Sequence, residues 1–330
     1  RMARRSTLRL HMRFDFRRPS FGPPAEALVA AALEQVEWAD ALGFETVIVS
    51  EHHGSDDGYL PSPLVMAGAF AARTKRARIR TSALVLPLHD PVRVAEDAAI
   101  VDILSGGRLE LIVAAGYVPS EFAMFGRELR ARSRLLEEGI AVLRRAWTGE
   151  PFEYEGRRVR VTPRPVQEPH PPILLGGGTL ASAKRAARIA DGYVPVLPSL
   201  YKAYEEECAR LGKTPGKRAA GGALFLHLAE DPDAAWARLG PHILHDLNAY
   251  ADWAEQAGVP SPFARSDDLD AVRRAGAYQI QTPAECLENC RAMRDGGFVV
   301  FHPMLGGIPP ELAEESLELF AREVWAKLED

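Results

Sequence analysis

The sequence has few cysteines, and none of them form a metal-like pair. Its 330 residues include three, Cys208, Cys286 and Cys290, with no C-x-x-C spacing. An odd number of cysteines without such a pair indicates neither a disulfide framework nor a zinc site. We therefore expect a protein of the reducing cytoplasm.

Strong basic charge is also lacking. The formal net charge is -5 and the isoelectric point is about 6.0. Nucleic acids and anionic membranes need a basic face, so neither is an expected partner. No apolar run reaches the ~18 residues that would span a bilayer. A basic cluster near the start is interpreted as a solvated strand and loop. Its members are Arg4, Arg5, Arg9, Arg13, Arg17 and Arg18.

Several catalytic signatures are missing from the sequence. No GxSxG elbow, Walker A loop or HExxH helix occurs, which leaves a serine hydrolase, a P-loop NTPase and a zinc peptidase without support. The loop after residue 16 reads RRPSFGPP rather than G-x-G-x-x-G. An open, doubly wound dinucleotide-binding sheet is therefore disfavoured.

What the sequence does contain is a regular alternation of short Val, Ile and Leu runs with segments of helical period, which is typical of βα units. The segment 25–43, for example, ends at Gly43, a helix-ending signal. Its predicted apolar stripe comprises Leu28, Ala31, Ala32, Gln35, Val36 and Ala39. Eight strands, each followed by a helix, predict a single domain over 1–330 that forms a (β/α)₈ TIM barrel. The strand candidates are 8–16, 46–50, 78–86, 109–116, 172–177, 193–197, 223–229 and 298–304.

Two segments are too long for simple connections. About 148–171, after strand four, alternates around Gly156 and predicts a hairpin. About 231–281, after strand seven, is a helix-rich insertion that we expect to act in part as a lid. Its aromatic side chains are candidates for contacts with the substrate or for covering it. Alternatively, they pack against one another within the insertion. These are Trp236, Tyr250, Trp253 and Phe263.

The active site of such a barrel lies at the carboxyl ends of its strands. Residues predicted to gather there include Glu51, His52, His53, Pro87, Leu88, His89, Gly116, Tyr117, Gly176 and His302. Alternation at a strand end sends the rings of His52 and His53 in different directions. One imidazole can then act as a base near neutral pH, or both can be structural. Adjacent histidines rarely converge on one ion, so no metal is expected.

A glycine-rich turn follows strand five. Gly176, Gly177 and Gly178 precede Thr179 and a predicted helix. Such a turn lets backbone N–H groups approach a phosphate at the positive end of a helix, with hydroxyl help from Thr179 and Ser182. The alternative is an ordinary turn in which Thr179 is the helix N-cap.

Taken in order, the motifs resemble one known family. ALGFETVIVSEHHGSDDGYLPSP, IRTSALVLPLHDPVRVAEDAAIVDILSGGRLELIVAAGYVPSEFAMFG, SRLLEEGIAVLRRAW and PRPVQEPHPPILLGGGTLASAKRAARIADGY are similar to bacterial luciferase-like flavin monooxygenases. The resemblance covers nearly the whole chain except 231–275. It implies a barrel that binds reduced FMN at its mouth and uses molecular oxygen to oxidise a small organic substrate.

The resemblance also implies roles for individual residues. The first histidine of the EHH motif is the catalytic base position, which falls on His52. An unusual cis peptide under the flavin ring maps to Ser82 and Ala83. The flavin phosphate would be held by the glycine turn, with Arg134 supplying charge. The implied cofactor-binding residues are Glu51, Ser82, Ala83, Gly116, Tyr117, Arg134, Gly177, Gly178, Thr179 and Ser182.

The chain departs from bacterial luciferase after strand four, where Ala114, Ala115 and Gly116 replace Cys-Arg-Gly. Light emission is therefore not implied. A relative that uses an 8-hydroxy-5-deazaflavin coenzyme and transfers hydride without oxygen remains an alternative. A non-catalytic flavin-binding protein and a metal-dependent barrel hydrolase stay open as well. With no nicotinamide fingerprint, a separate flavin reductase is expected, and the family implies a homodimer.

Overall fold

The computed structural model describes residues 8–216, 225–259, 264–293 and 297–329. The chain divides into two compact units. The first comprises Arg1–Ile48, Ser55–Leu60 and Ala220–Asp330, and the second comprises Val49–Gly54 and Pro61–Ala219.

Strands and helices alternate along most of the chain. The strands are β1 (Arg9–Phe14), β2 (Thr46–Val49), β3 (Arg78–Leu84), β4 (Leu109–Val113), β5 (Phe152–Tyr154), β6 (Arg157–Val159), β7 (Ile173–Gly177), β8 (Gly192–Pro195), β9 (Phe225–Leu228), β10 (Tyr278–Gln281) and β11 (Phe298–Phe301). The helices are α1 (Ala25–Leu42), α2 (Pro63–Arg73), α3 (Pro91–Ser105), α4 (Pro119–Met124), α5 (Arg132–Ala146), α6 (Leu180–Ile189), α7 (Leu200–Arg210), α8 (Pro232–Ala257), α9 (Leu269–Ala275), α10 (Pro283–Ala292), α11 (Pro310–Phe320) and α12 (Ala326–Glu329).

Parallel strands form the framework of each unit. In the first unit β1 lies between β11 and β2, and β9 pairs with β10 in parallel. In the second unit the order is β3-β4-β7-β8, and each neighbouring pair is parallel. All eight predicted strands are present. The structure confirms an α/β fold, whereas closure into an eight-stranded barrel and the two insertion positions stay predictions.

Helix α1 shows how the apolar pattern sets local structure. Its buried residues are the predicted stripe together with Asp40: Leu28, Ala31, Ala32, Gln35, Val36 and Ala39. Gly43 caps the helix at φ 102°, a left-handed conformation that suits glycine. Helix α6 ends differently, with Ala190 as its C-cap in an extended conformation, and the next glycine, Gly192, opens β8.

The segment 231–281 contains more than helices. Helices α8 and α9 confirm its predicted helical character, but its last residues form β10. This strand was missed because it has only four residues and alternates with glutamines. Trp236 lies in a buried cluster with Phe225, Ile243 and Tyr278, so its side chain packs within the first unit. Phe263 lies outside the described residues.

The interpretation of the N-terminal arginines as solvated is wrong for Arg17, which is 0% exposed. Its Nη1 donates to Asp57 Oδ2 at 2.5 Å, and its Nε lies 3.3 Å from Asp246 Oδ1. Three aromatic rings lie 4.7 to 5.0 Å from its guanidinium carbon: Tyr59, Tyr250 and Trp253. Tyr250 and Trp253 thus pack around a buried cation. Arg4 and Arg5 lie outside the described residues.

The segment 148–171 confirms the predicted hairpin. Strands β5 and β6 pair antiparallel, with Tyr154 opposite Arg157. Glu155 and Gly156 between them both have positive φ, as a tight two-residue hairpin turn requires. Among the described residues, no helix combines the length and apolar character needed to cross a membrane.

Candidate active site

The second unit brings together predicted site residues that follow β2, β3 and β4 in the chain. Glu51, His52 and His53 follow β2, His89 follows β3, and Tyr117 follows β4. Side chains from three separate segments therefore meet at one edge of the strands, as expected for parallel βα units.

His52 makes the contact expected of an oriented imidazole. Its Nδ1 lies 2.7 Å from Oε1 of Glu121, and the same oxygen accepts the backbone N–H of His53 at 2.9 Å. Glu121 is 1% exposed and His52 8% exposed. The ring of Tyr117 stands edge-on to His52 with centroids 6.1 Å apart. The structure therefore holds His52 between a buried carboxylate and an aromatic ring.

Glu121 was not singled out from the sequence, and its position depends on a turn. Gly116 has φ 73°, and a Cβ there would lie 2.6 Å from Val85 and 3.0 Å from Phe122. Only glycine fits this approach, after which Pro119 starts the short helix α4 that carries Glu121. The available signal in the sequence was an acidic residue that closely follows a proline, as in the first turn of a helix.

Glu51 is a hydrogen-bonding hub rather than an exposed group. Its Oε1 lies 2.7 Å from His53 Nε2 and 2.5 Å from His89 Nε2. Its Oε2 accepts the backbone N–H of Val85 at 2.6 Å. Burial alone would raise the pKa of Glu51, but the hydrogen bonds from His53 and His89, with the charge of His89 and the Val85 N–H, hold it below its ordinary value. An ionised carboxylate thus anchors both imidazoles.

Glu51, His53 and His89 are also close enough to be considered as a metal site, since their ligand atoms lie within 4.8 Å of one another. The oxygen-to-nitrogen distances of 2.5 and 2.7 Å are hydrogen-bond lengths. Ligands bound at about 2.0 to 2.2 Å around one ion would sit further apart from each other. The distances fit a hydrogen-bonded network better than a metal centre.

The cis peptide expected from the family lies between Ser82 and Ala83, near the end of β3. Both residues are half-buried. Ser82 is in register with Ile112 of β4, and the register shifts between Ser82 and Leu84. The backbone irregularity therefore falls three residues before Val85, which donates to Glu51.

The glycine turn has the helix N-cap expected of an ordinary turn, and it also keeps the exposed backbone that a phosphate-binding turn needs. Thr179 is the N-cap of α6, and its side chain accepts from Ser182 N while Ser182 Oγ accepts from Thr179 N. Ser182 Oγ also donates to the Thr179 carbonyl at 2.6 Å, so this hydroxyl stabilises the turn. A Cβ on Gly177 would lie 2.4 Å from Ser182, which restricts that position to glycine. Gly178 and Thr179 are exposed, which leaves the turn accessible.

Arg134 lies in the first turn of α5. Its Nη1 donates to Glu138 at 2.7 and 2.8 Å, and its side chain is 64% exposed. Glu137, in the same helix, accepts from Arg185 of α6 at 2.7 Å. Side chains of α5 and α6 therefore meet, although Arg134 itself is engaged with an acid.

An apolar surface borders the histidines. The ring of Phe125 stands edge-on to His53 with centroids 4.7 Å apart. Phe125 is 39% exposed and Met124 65% exposed. Neither was predicted as a site residue. His302, predicted at the same edge, belongs to the first unit, where its Nε2 lies 3.2 Å from Asp15.

Comparison with known proteins gives a consistent result. Residues 12–299 match the sequence model of the luciferase-like monooxygenase family. The chain is 30% identical over 321 residues to 4-hydroxyprotoasukamycin monooxygenase from Streptomyces nodosus, covering 88% of this chain and 85% of that protein. It is 27% identical over 313 residues to the F420-dependent glucose-6-phosphate dehydrogenase of Microbacterium testaceum, covering 88% and 90%.

Solved structures agree on the fold. The monooxygenase RslO1 from Streptomyces bottropensis aligns with a TM-score of 0.76 at 26% identity, covering 97% of this chain and 99% of that one. The oxygenating constituent of 3,6-diketocamphane monooxygenase from Pseudomonas putida, solved with FMN, aligns with a TM-score of 0.71 at 20% identity, covering 97% and 98%. The chain belongs to the luciferase-like monooxygenase family and is an oxidoreductase enzyme.

Proposed function

We propose that the protein is a monooxygenase that uses reduced FMN and molecular oxygen to oxidise a small organic substrate. The observation that carries the proposal is the buried His52–Glu121 pair at the strand ends of a chain that belongs to this family. In the overall reaction one oxygen atom enters the substrate and the other leaves as water, while the reduced flavin supplies two electrons. His52 is the residue we propose as the catalytic base.

The glycine turn fits a phosphate group. Gly177 permits close backbone approach, and exposed Gly178 and Thr179 precede the positive end of α6. We propose that these three residues hold the FMN phosphate. Ser182 contributes by stabilising the turn through its hydrogen bonds with the Thr179 backbone. Arg134 would add charge after exchanging its contact with Glu138 for the phosphate.

The remaining residues predicted to contact the flavin lie near the ends of β3 and β4. We propose that Ser82 and Ala83 support the flavin ring, and that Gly116 and Tyr117 line its other side. Glu51 takes a supporting role, because it is 3% exposed and its oxygens already accept three donors. Its expected contribution to cofactor binding is the placement of His53 and His89.

Reduced FMN, when bound, supplies the electrons for oxygen activation. The protein's residues bind the phosphate, orient the ring, exclude water and accept a proton at His52. Exposed Phe125 and Met124 give the histidine edge an apolar border. An apolar border of this kind favours an organic substrate over a highly charged one, and a substrate that covers it would keep water from the reacting atoms.

Partners follow from the proposed chemistry. The chain needs a source of reduced flavin, and we propose a separate flavin reductase because the camphane relative is named an oxygenating constituent. We also propose a homodimer through α2 and α3, whose exposed apolar side chains suit burial against a second copy. They are Val65, Ile100, Ile103 and Leu104. The three cysteines are free, which supports our proposal of a cytoplasmic location.

The F420-dependent relative favours one alternative. In a deazaflavin-dependent oxidoreductase the same site would pass hydride between a substrate and an 8-hydroxy-5-deazaflavin. No oxygen would be consumed in that reaction. The alternative shares the predicted phosphate turn, so cofactor preference and oxygen use distinguish the two functions.

Oxygen consumption tests the proposal. Wild type, His52→Ala and His170→Ala are mixed with reduced FMN and a panel of aldehydes, ketones, sulfonates and amines. His170 is the matched control because it contacts the Pro171 carbonyl, away from the strand-end histidines. Free reduced FMN also consumes oxygen and gives peroxide, so the oxygenated product is measured together with oxygen use. We expect about one oxygen molecule consumed per oxygenated product with wild type and His170→Ala, and loss of that product in His52→Ala with flavin affinity retained. Hydride transfer to a deazaflavin without oxygen use would contradict the proposal.

A further inference from the structure

Two adjacent histidines are held through opposite ring nitrogens. His52 meets Glu121 through Nδ1 at 2.7 Å, whereas His53 meets Glu51 through Nε2 at 2.7 Å. Both carboxylates are at least 97% buried. When the carboxylate oxygen is the acceptor of each hydrogen bond, as Glu121 Oε1 is for the backbone N–H of His53, the proton lies on the contacting nitrogen. The two rings are therefore expected in opposite tautomers.

We propose that Glu121 is a positioning residue that holds His52 in its Nδ1–H tautomer, so that Nε2 carries the lone pair. This inference rests on the proposed function for its catalytic meaning, although the tautomer itself is independent of it. In a neutral imidazole one nitrogen donates and the other accepts, and the bond made by the first decides the role of the second. An acidic partner plays the same part for the histidine of a Ser-His-Asp triad.

The geometry gives Glu121 more than a pairwise contact. Its Oε1 accepts both His52 Nδ1–H and the backbone N–H of His53. One oxygen therefore fixes the ring and the peptide that follows it. Rotation of the His52 ring would break the first bond, and movement of the backbone would break the second. Glu121 is itself held on α4, which begins just after the glycine-dependent turn at Gly116.

Substitutions of Glu121 separate shape from charge. Glu121→Gln keeps a carbonyl oxygen that can accept both N–H groups, and the His53 N–H selects the amide orientation with oxygen facing the ring. Glu121→Ala removes the acceptor altogether. Glu128→Gln is the matched control, since Glu128 lies in the same segment but is 72% exposed and paired with Arg130.

The tautomer is measured directly by long-range ¹H–¹⁵N NMR of histidine-labelled, flavin-free protein, with His52→Ala identifying the His52 signals. We expect the proton on Nδ1 in wild type, Glu121→Gln and Glu128→Gln, and a mixture of tautomers in Glu121→Ala. A proton on Nε2 of His52 in neutral wild type would overturn the inference. This first observation needs no variant, so an unstable Glu121→Ala protein does not leave the question open.

Turnover provides the second readout. Loss of an oriented base is worth roughly 10² to 10⁴ in rate. We expect Glu121→Ala to lower turnover about 10²-fold or more, Glu121→Gln to recover most of that loss, and flavin affinity to change less than about threefold. Full turnover in Glu121→Ala together with inactive His52→Ala would refute the inference alone. Full turnover in His52→Ala would refute the proposed role of His52 as catalytic base, whatever the tautomer, and would leave the monooxygenase function in place.

Discussion

Replacement of Glu51 by glutamine is a direct test of the hydrogen-bonding hub. Glu51 accepts from His53 Nε2 at 2.7 Å, His89 Nε2 at 2.5 Å and Val85 N at 2.6 Å. Hydrogen bonds to a charged group contribute about 1.5 to 3 kcal/mol each. A glutamine has a single acceptor oxygen, so one or two of these donors lose their partner. We expect Glu51→Gln to lower the free energy of unfolding by about 2 to 4 kcal/mol at pH 7.

The effect should depend on pH in a defined direction. The folded-state pKa of Glu51 lies below its ordinary value, so its stabilisation is complete above the unfolded value of about 4.3 and is lost as pH falls through the folded value. Denaturant unfolding of wild type and Glu51→Gln at pH 7, 5 and 3.5 measures the difference. The gap should be full at pH 7 and 5 and narrower at pH 3.5. A gap below about 1 kcal/mol at pH 7, or one that widens in acid, would refute the reasoning.

Three further outcomes are expected. Gly177→Ala should lower the melting temperature, since its Cβ would lie 2.4 Å from Ser182, whereas Gly178→Ala, with its nearest neighbour at 3.6 Å, should be tolerated; equal effects would contradict this. Arg17→Met should lower the free energy of unfolding, measured with denaturant, by about 3 to 5 kcal/mol, because it leaves the buried carboxylates of Asp57 and Asp246 without their cation. A decrease of less than about 1 kcal/mol would contradict this expectation. Burial, with the charge of Arg238, lowers the pKa of His227 to about 4, so its stabilisation is complete above about pH 6.5 and is lost on acidification toward pH 4. His227→Leu should remove that loss; a pH slope equal to wild type would count against it.

Patterned segments were predictable because their physics is local. The stripe of α1 and its Gly43 cap were correct at the level of single residues. The hairpin around Gly156 was correct because the positive φ that its turn demands is a local requirement. The eight strand positions came from short β-branched runs, which bury on both faces in parallel sheets.

Features that depend on distant residues were not predictable. In the sequence Arg17 cannot be distinguished from the exposed arginines near it. Its burial is explained by Asp57 and Asp246, which lie 40 and 229 positions further along the chain. Glu121 lies 69 positions from His52. Strand β10 was missed because its four residues carry only a short apolar pattern. Its extended conformation is stabilised by parallel hydrogen bonding to β9, which lies about 50 residues earlier in the chain. The role of the EHH motif came from the family resemblance rather than from its own residues.

The central claim is that the second unit binds reduced FMN at its glycine turn. Anaerobic titration with reduced FMN and, separately, with a reduced 8-hydroxy-5-deazaflavin measures both dissociation constants for wild type, Gly177→Ala and Gly178→Ala. We expect FMN to bind more tightly than the deazaflavin, and Gly177→Ala to weaken FMN binding far more than Gly178→Ala does. Tighter binding of the deazaflavin, or FMN binding that is indifferent to Gly177→Ala, would contradict it.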